Sequence, residues 1–147
     1  MGERLLDELA LRALIERYFH ALDRRDMDTI GECFATDAHA SFNAGDVTLE
    51  GREAIVRDFQ AINAFPTSIH ALASASVDPT RREGVVYAVA YLTTAVDGGE
   101  SRVMVRGIRY EDRYVQEDGQ WRFESRDHYA LWQYEAECVP PWTRSSA

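Results

Sequence analysis

The chain is poor in the residues that staple or partition a protein. It has two cysteines, four prolines and no low-complexity tract in 147 residues. Cys33 and Cys138 stand far apart and form no CxxC pair, so neither a zinc site nor a redox motif is expected. The reading is two reduced thiols; one disulfide stays open as the alternative. No linker rich in proline, glycine or serine divides the chain, which points to a single domain over 1–147. No apolar run approaches the roughly 18 residues of a membrane span. The first ten residues, MGERLLDELA, are charged and lack an apolar signal core, so a cytoplasmic protein is expected. Positive charge is also in deficit: 16 basic against 25 acidic side chains, net −9. Nucleic acid and anionic membrane both need concentrated positive charge and are not expected as partners. No ligand cluster suggests a metal, and no cofactor motif is present.

What is present is patterning. Leu11, Leu14, Ile15, Tyr18 and Leu22 recur at three- and four-residue spacing and make one apolar stripe on a first helix ending near DRRD. Asp26 is placed to cap a second helix, MDTIGECFA. Two short extended pieces come next, around Asn43-Ala44-Gly45-Asp46, then a third helix, GREAIVRDFQAI. After Pro66 the character changes to four long segments rich in Val, Tyr, Thr and Ile, separated by turn residues; Glu117-Asp118-Gly119 is a hairpin signal. Helices segregated from an antiparallel sheet predict an α+β fold. A curved sheet around three N-terminal helices leaves a concave side, a natural small-molecule pocket.

The segments RYFHALDRRDMDTIGECFATDA, GREAIVRDF, TSIHALASASVD and RGIRYEDRYVQEDGQWRFESRD together resemble the SnoaL-like branch of the nuclear-transport-factor-like superfamily. The resemblance covers about residues 5–130 and leaves 131–147 as an aromatic C-terminal tail, a lid or an interface. It implies a cone-shaped α+β barrel, usually a homodimer or homotrimer. Scytalone dehydratase and hexachlorocyclohexane dehydrochlorinase are relatives with a histidine–aspartate pair in the cone. The matching positions are His70 in SIHAL, as general base, and Asp23 in ALDRRD, as the carboxylate that orients it. The dehydratase's second histidine is matched by Ala88, and its tyrosine by Phe42, so scytalone itself is not expected as substrate. Ketosteroid isomerase is a further relative: its first-helix tyrosine matches Tyr18, while its catalytic aspartate falls near Phe42.

Imidazole titrates nearest neutrality, and a carboxylate on one ring nitrogen fixes its tautomer and stabilises the imidazolium that forms. In strand alternation Ser68, His70, Leu72, Ser74 and Ser76 share one face. On an ideal wheel Asp23 falls more than about 90° from the apolar stripe, which argues against burial. Tyr18, Phe42, Arg106, Tyr110, His128 and Trp132 are candidate substrate contacts; Arg109 has the opposite parity to Arg106 and Tyr110. Trp132, Tyr134 and Trp142 belong to the tail. The expected function is a cofactor-independent lyase of the dehydratase or elimination type, acting on a small apolar cyclic or aromatic molecule. An isomerase, a polyketide-type cyclase, and a non-catalytic binding protein like the small subunit of ring dioxygenases are the alternatives.

Overall fold

The computed structural model describes residues 1–95 and 101–139. Helix α1 (Gly2–Arg24) is followed by α2 (Met27–Cys33), strands β1 (Phe34–Phe42) and β2 (Val47–Glu50), and helix α3 (Arg52–Phe59) with a 3-10 turn (Gln60–Ala64). Strands β3 (Ser68–Asp78), β4 (Glu83–Ala95), β5 (Ser101–Glu117) and β6 (Gln120–Cys138) complete the fold. The fold is α+β, as expected. The six strands of the described residues form one curved sheet in the order β2-β1-β6-β5-β4-β3. Only β1 and β6 run parallel; the other neighbours are antiparallel. The sheet is open, since β2 and β3 are its edges, so the cone is a half-closed barrel.

The apolar stripe of α1 is the heart of the core. Leu11, Leu14, Ile15, Tyr18 and Leu22 are all buried, joined by Phe19 and Ala21. They pack on the sheet's inner face against Val86, Ala88, Ile108, Tyr110, Tyr114 and Phe123. Ala88 is thus core. α1 ends on Arg25, which adopts a left-handed conformation (φ 58°). The Asp26 amide reaches back to the Ala21 carbonyl at 2.9 Å, a helix-terminating pattern. Asp26 then caps α2 through the Thr29 amide at 3.1 Å. The second helix is shorter than its sequence suggests: Phe34 is already extended, and its buried ring starts β1. The β5–β6 turn places Asp118 and Gly119 at φ 54° and 75°, a pair that suits the right-handed twist of a hairpin. Trp121 anchors this turn to α1 by donating Nε1–H to Asp7 Oδ1 at 2.9 Å.

Three β-bulges decide which side chains face the core. Leu72 pairs with Ala88 but Ser74 with Tyr87, so Ala73 is an extra residue. His70 and Leu72 therefore face inward before it, and Ala75 and Val77 after it, instead of Ser74 and Ser76. On β6 the extra residues are Glu124 and Leu131. β6 is also longer than expected: residues 131–138 are strand, and residues 140–147, with Trp142 and the rest of the expected lid or interface, lie outside the described residues.

Candidate active site

The site is built where the end of α1 meets the start of β3. Asp23 Oδ1 lies 2.7 Å from His70 Nδ1, and Asp23 Oδ2 accepts the His70 backbone amide at 2.8 Å. The expected partners are thus brought together, and both carboxylate oxygens contact the same residue. Asp23 is not the outward carboxylate that the wheel suggests. It comes one helical turn after Phe19, and the stripe read from sequence omitted Phe19. Phe19 is buried and lies against the His70 ring, with planes 8° apart and centroids 5.8 Å apart. Residues four apart on a helix share a face, so Phe19 and Asp23 reach the same imidazole. The side chains of His70 and Asp23 are 7% and 21% exposed.

A second hydrogen-bonded layer holds Asp23. Ser68 Oγ donates to Asp23 Oδ1 at 2.8 Å. Arg25 Nη1 donates in turn to Ser68 Oγ at 2.7 Å and to the Leu22 carbonyl at 2.8 Å; its Nη2 reaches the Phe65 carbonyl at 2.8 Å. Burial alone would raise the Asp23 carboxyl, but the hydrogen bonds from the His70 side chain and amide and from Ser68 outweigh it and hold the carboxyl below its ordinary value. An ionised carboxylate opposite Nδ1 favours the imidazole tautomer that carries its proton on Nδ1 and keeps a lone pair on Nε2.

Beyond the dyad lies a buried aromatic cluster, called the chamber below, built around Arg126, a residue not among the candidates read from sequence. Arg126 is 2% exposed, and its Cζ sits 3.9 Å from the Tyr110 ring centroid, 4.3 Å from Phe123 and 4.5 Å from Tyr18. Its Nε donates to Asp112 Oδ1 at 2.9 Å, and Tyr114 donates to Asp112 Oδ2 at 3.1 Å. Burial pushes the Asp112 carboxyl up even with Arg126 beside it. Burial disfavours the Arg126 charge, but Asp112 and the surrounding phenols more than restore it. Arg126 Nη1 is buried and has no hydrogen-bond partner among the described residues. The only sequence signal for it was strand parity, and the extra Glu124 inverts that signal.

The other candidates separate into two groups. Tyr18, Phe42, Tyr110 and His128 share the chamber: Tyr18 contacts Phe19, Phe34, Phe59, Tyr110 and Phe123, and His128 lies between Phe42 and Tyr110. Burial raises Tyr18 well above the ordinary phenol value and pushes Tyr110 up to about 12. Both phenols therefore stay protonated. Arg106 is on the inner face, and its Nε donates to Gln133 Oε1 at 2.9 Å. Trp132 is not in the chamber. The extra Leu131 turns it to the outer face, where it covers Gly107 so closely that a Cβ there would run into the indole, and it stacks on Tyr134 with centroids 6.2 Å apart. Arg109 is also outside, beside Glu111 at 3.5 Å and over Tyr129 at 4.7 Å. A groove of about 570 Å³, lined by Asp78, Arg81, Glu83 and Arg113 among others, opens at the far end of the sheet and includes neither His70 nor Asp23. Among the described residues no three of His, Cys, Asp and Glu form a group that could hold a metal, and no helix is long and apolar enough to cross a membrane.

Comparison with known proteins agrees with this architecture. An uncharacterised protein of Mycobacterium tuberculosis is 25% identical over 123 residues, which is 82% of each chain. Among solved structures, the type 3 hexachlorocyclohexane dehydrochlorinase of Novosphingobium barchaimii superposes with a TM-score of 0.75 at 18% identity, over 94% of this chain and 97% of the other. A candidate scytalone dehydratase of Novosphingobium aromaticivorans superposes with a TM-score of 0.72 at 22% identity, over 99% and 100%. At these identities the likeness is one of fold. The SnoaL-like domain matches residues 3–127, most of the chain, and the protein belongs to the SnoaL-like domain family.

Proposed function

We propose that the protein is a cofactor-independent lyase that eliminates HX from a small, largely apolar ring-containing molecule, with His70 as general base and Asp23 as its orienting carboxylate. The observation that carries this reading is the double contact of Asp23 with the His70 ring and amide. His70 Nε2 takes a proton from carbon, the C–H electron pair becomes the new C=C bond, and the group X leaves the adjacent carbon with its own electron pair. The Asp23 carboxylate stabilises the imidazolium. Arg126, a cation held among aromatic rings away from water, stabilises the negative charge that develops on the substrate or leaving group. The dehydrochlorinase and dehydratase folds among its structural relatives support the elimination chemistry.

We also propose that a second copy of the chain covers the outer face of the sheet. Ile69, Tyr87, Tyr91, Trp132 and Tyr134 are exposed there, and strand register links Ile69, Tyr91, Val105 and Tyr134 in one row. An apolar patch of this kind marks an interaction surface. The same face carries both signs of charge, as Arg109 beside Glu111, which suits a self-complementary contact.

The test is a panel of ring-containing β-hydroxy ketones and halogenated rings, monitored for loss of water or halide. Turnover by the wild type that falls roughly 10²–10⁴-fold in His70→Ala supports the reading; equal turnover by the variant rejects it. Double-bond migration without loss of X would turn the assignment to an isomerase.

A further inference from the structure

The dyad leaves His128 without a task. It lies on the inner face of β6, two residues beyond Arg126, and is 6% exposed. Its ring is tilted against Phe42 and meets Tyr110 edge-on, with centroids 5.5 and 5.4 Å away. Its Nδ1 is buried and unpartnered among the described residues. Leaving a buried polar atom unmatched costs free energy, and native proteins partner nearly all of them, so an orphan calls for an acceptor or donor from outside the chain. Arg126 Nη1 is a second such atom, on the same face of the same strand and against the same Tyr110 ring.

We propose that His128 and Arg126 together form a subsite for one oxygen atom of the substrate, a carbonyl oxygen of a cyclic ketone, with the neutral His128 donating through Nδ1. Guanidinium donates only, so the shared ligand must be an acceptor. The charged and titratable groups facing His128 are Arg106 and Tyr110 from β5, Arg126 from its own strand and His70 from β3. Burial foremost, then Arg106, lowers the His128 pKa to about 4, so it holds no extra proton near neutrality and does not compete with His70. When His70 removes a proton from the carbon next to the carbonyl, the C–H pair moves into the C–C bond and charge gathers on that oxygen. His128 and Arg126 hydrogen-bond to it there, and no proton leaves either. The inference deepens the reading above, on which it rests for the chamber being where substrate binds.

The probes are α-tetralone and tetralin, two bicyclic molecules that differ by one carbonyl, titrated by calorimetry. The wild type is expected to prefer the ketone by about tenfold, the worth of one good hydrogen bond. In His128→Phe the preference falls to about twofold or less while tetralin binds as before. His128→Asn, which keeps an amide near the Nδ1 position, restores part of it. In wild type alone, NMR of nitrogen-labelled histidine should show the His128 Nδ1 signal move with the ketone and not with the hydrocarbon, which keeps the test valid if a variant misfolds. A wild type without ketone preference, including one that binds neither probe, or a preference that survives in His128→Phe, overturns the subsite. Exchange of the α-protons of α-tetralone in heavy water reads the base separately. Ketone preference without His70-dependent exchange would sink the base and leave the subsite standing; exchange without preference would do the reverse.

Discussion

Asp23 grips His70 twice, with Oδ1 2.7 Å from the ring Nδ1 and Oδ2 2.8 Å from the main-chain nitrogen. The first contact selects the tautomer. The second ties the carboxylate to the strand, so the pair moves as one body.

Replacing Asp23 by asparagine should preserve the shape and invert the chemistry. An amide NH₂ facing Nδ1 donates to it, forces the ring proton onto Nε2 and removes the base. Turnover should fall about 10²–10⁴-fold, with little change in substrate binding. Steady-state kinetics of wild type and Asp23→Asn checks this.

The same pair sets an acid dependence. Asp23 is held below its ordinary value, so its contribution to stability is fully present above the unfolded-state value and is lost as pH falls through the folded one. The wild-type melting temperature should drop toward that of Asp23→Asn below about pH 4. Thermal melts of both proteins across pH 2.5 to 7 (roughly the carboxylate range) read the convergence.

Ser68 and Arg25 position the dyad without touching a substrate. Ser68→Ala removes a donor to Asp23, so the carboxyl should move up toward its ordinary value and the acid limb of the activity profile should move up with it. The fold should lose only about 1 kcal/mol. Arg25→Ala frees Ser68 and the Phe65 carbonyl together and should loosen the α1–β3 junction, seen as faster amide exchange at His70. A pH profile unmoved by either change would show that Asp23 is held by His70 alone.

Arg126 and Asp112 stand or fall together. Arg126→Ala strands a buried carboxylate and should cost about 3–5 kcal/mol in urea unfolding, whereas the paired change Arg126→Met with Asp112→Leu should recover most of that loss. Only the second variant isolates the chemical role of the cation.

The outer face yields a mass measurement. Wild type should sediment as a homo-oligomer, and Tyr91→Glu should shift it to the monomer by putting charge in the middle of the aromatic row. A monomeric wild type would refute the covered face.

Much of the fold was legible from spacing. The α1 stripe, the Asp26 cap, the Asp118-Gly119 turn and the meander all obey local rules. The pairing of Asp23 with His70 was visible through motif resemblance, while the wheel pointed Asp23 the wrong way because Phe19 was left out of the buried arc. Strand parity failed for Ser74 and Ser76, and alternation alone also misses the directions of Arg126 and Trp132, for a shared reason. Ala73, Glu124 and Leu131 are extra residues, and each reverses the in–out alternation of the residues after it. A bulge is made by two strands together, so no single segment announces it. Ser68 and Arg25 were hidden differently, since their partners lie 40 or more positions away along the chain.

The Glu124 bulge has a consequence for how this protein diverges. With a regular strand in its place, Ser125 and Asp127 would turn into the chamber, and Arg126 and His128 would turn out to solvent. The interior would exchange a cation and an imidazole for a hydroxyl and a carboxylate with no residue replaced. Loss of Glu124 itself would leave Phe123, Ser125 and Arg126 in plain alternation and keep the cation and the imidazole inside, so it is the pairing with β5, and not the length of the strand, that aims Arg126 and His128. A change that let Glu124 pair, with no residue gained or lost, would therefore alter the interior more than any substitution within it.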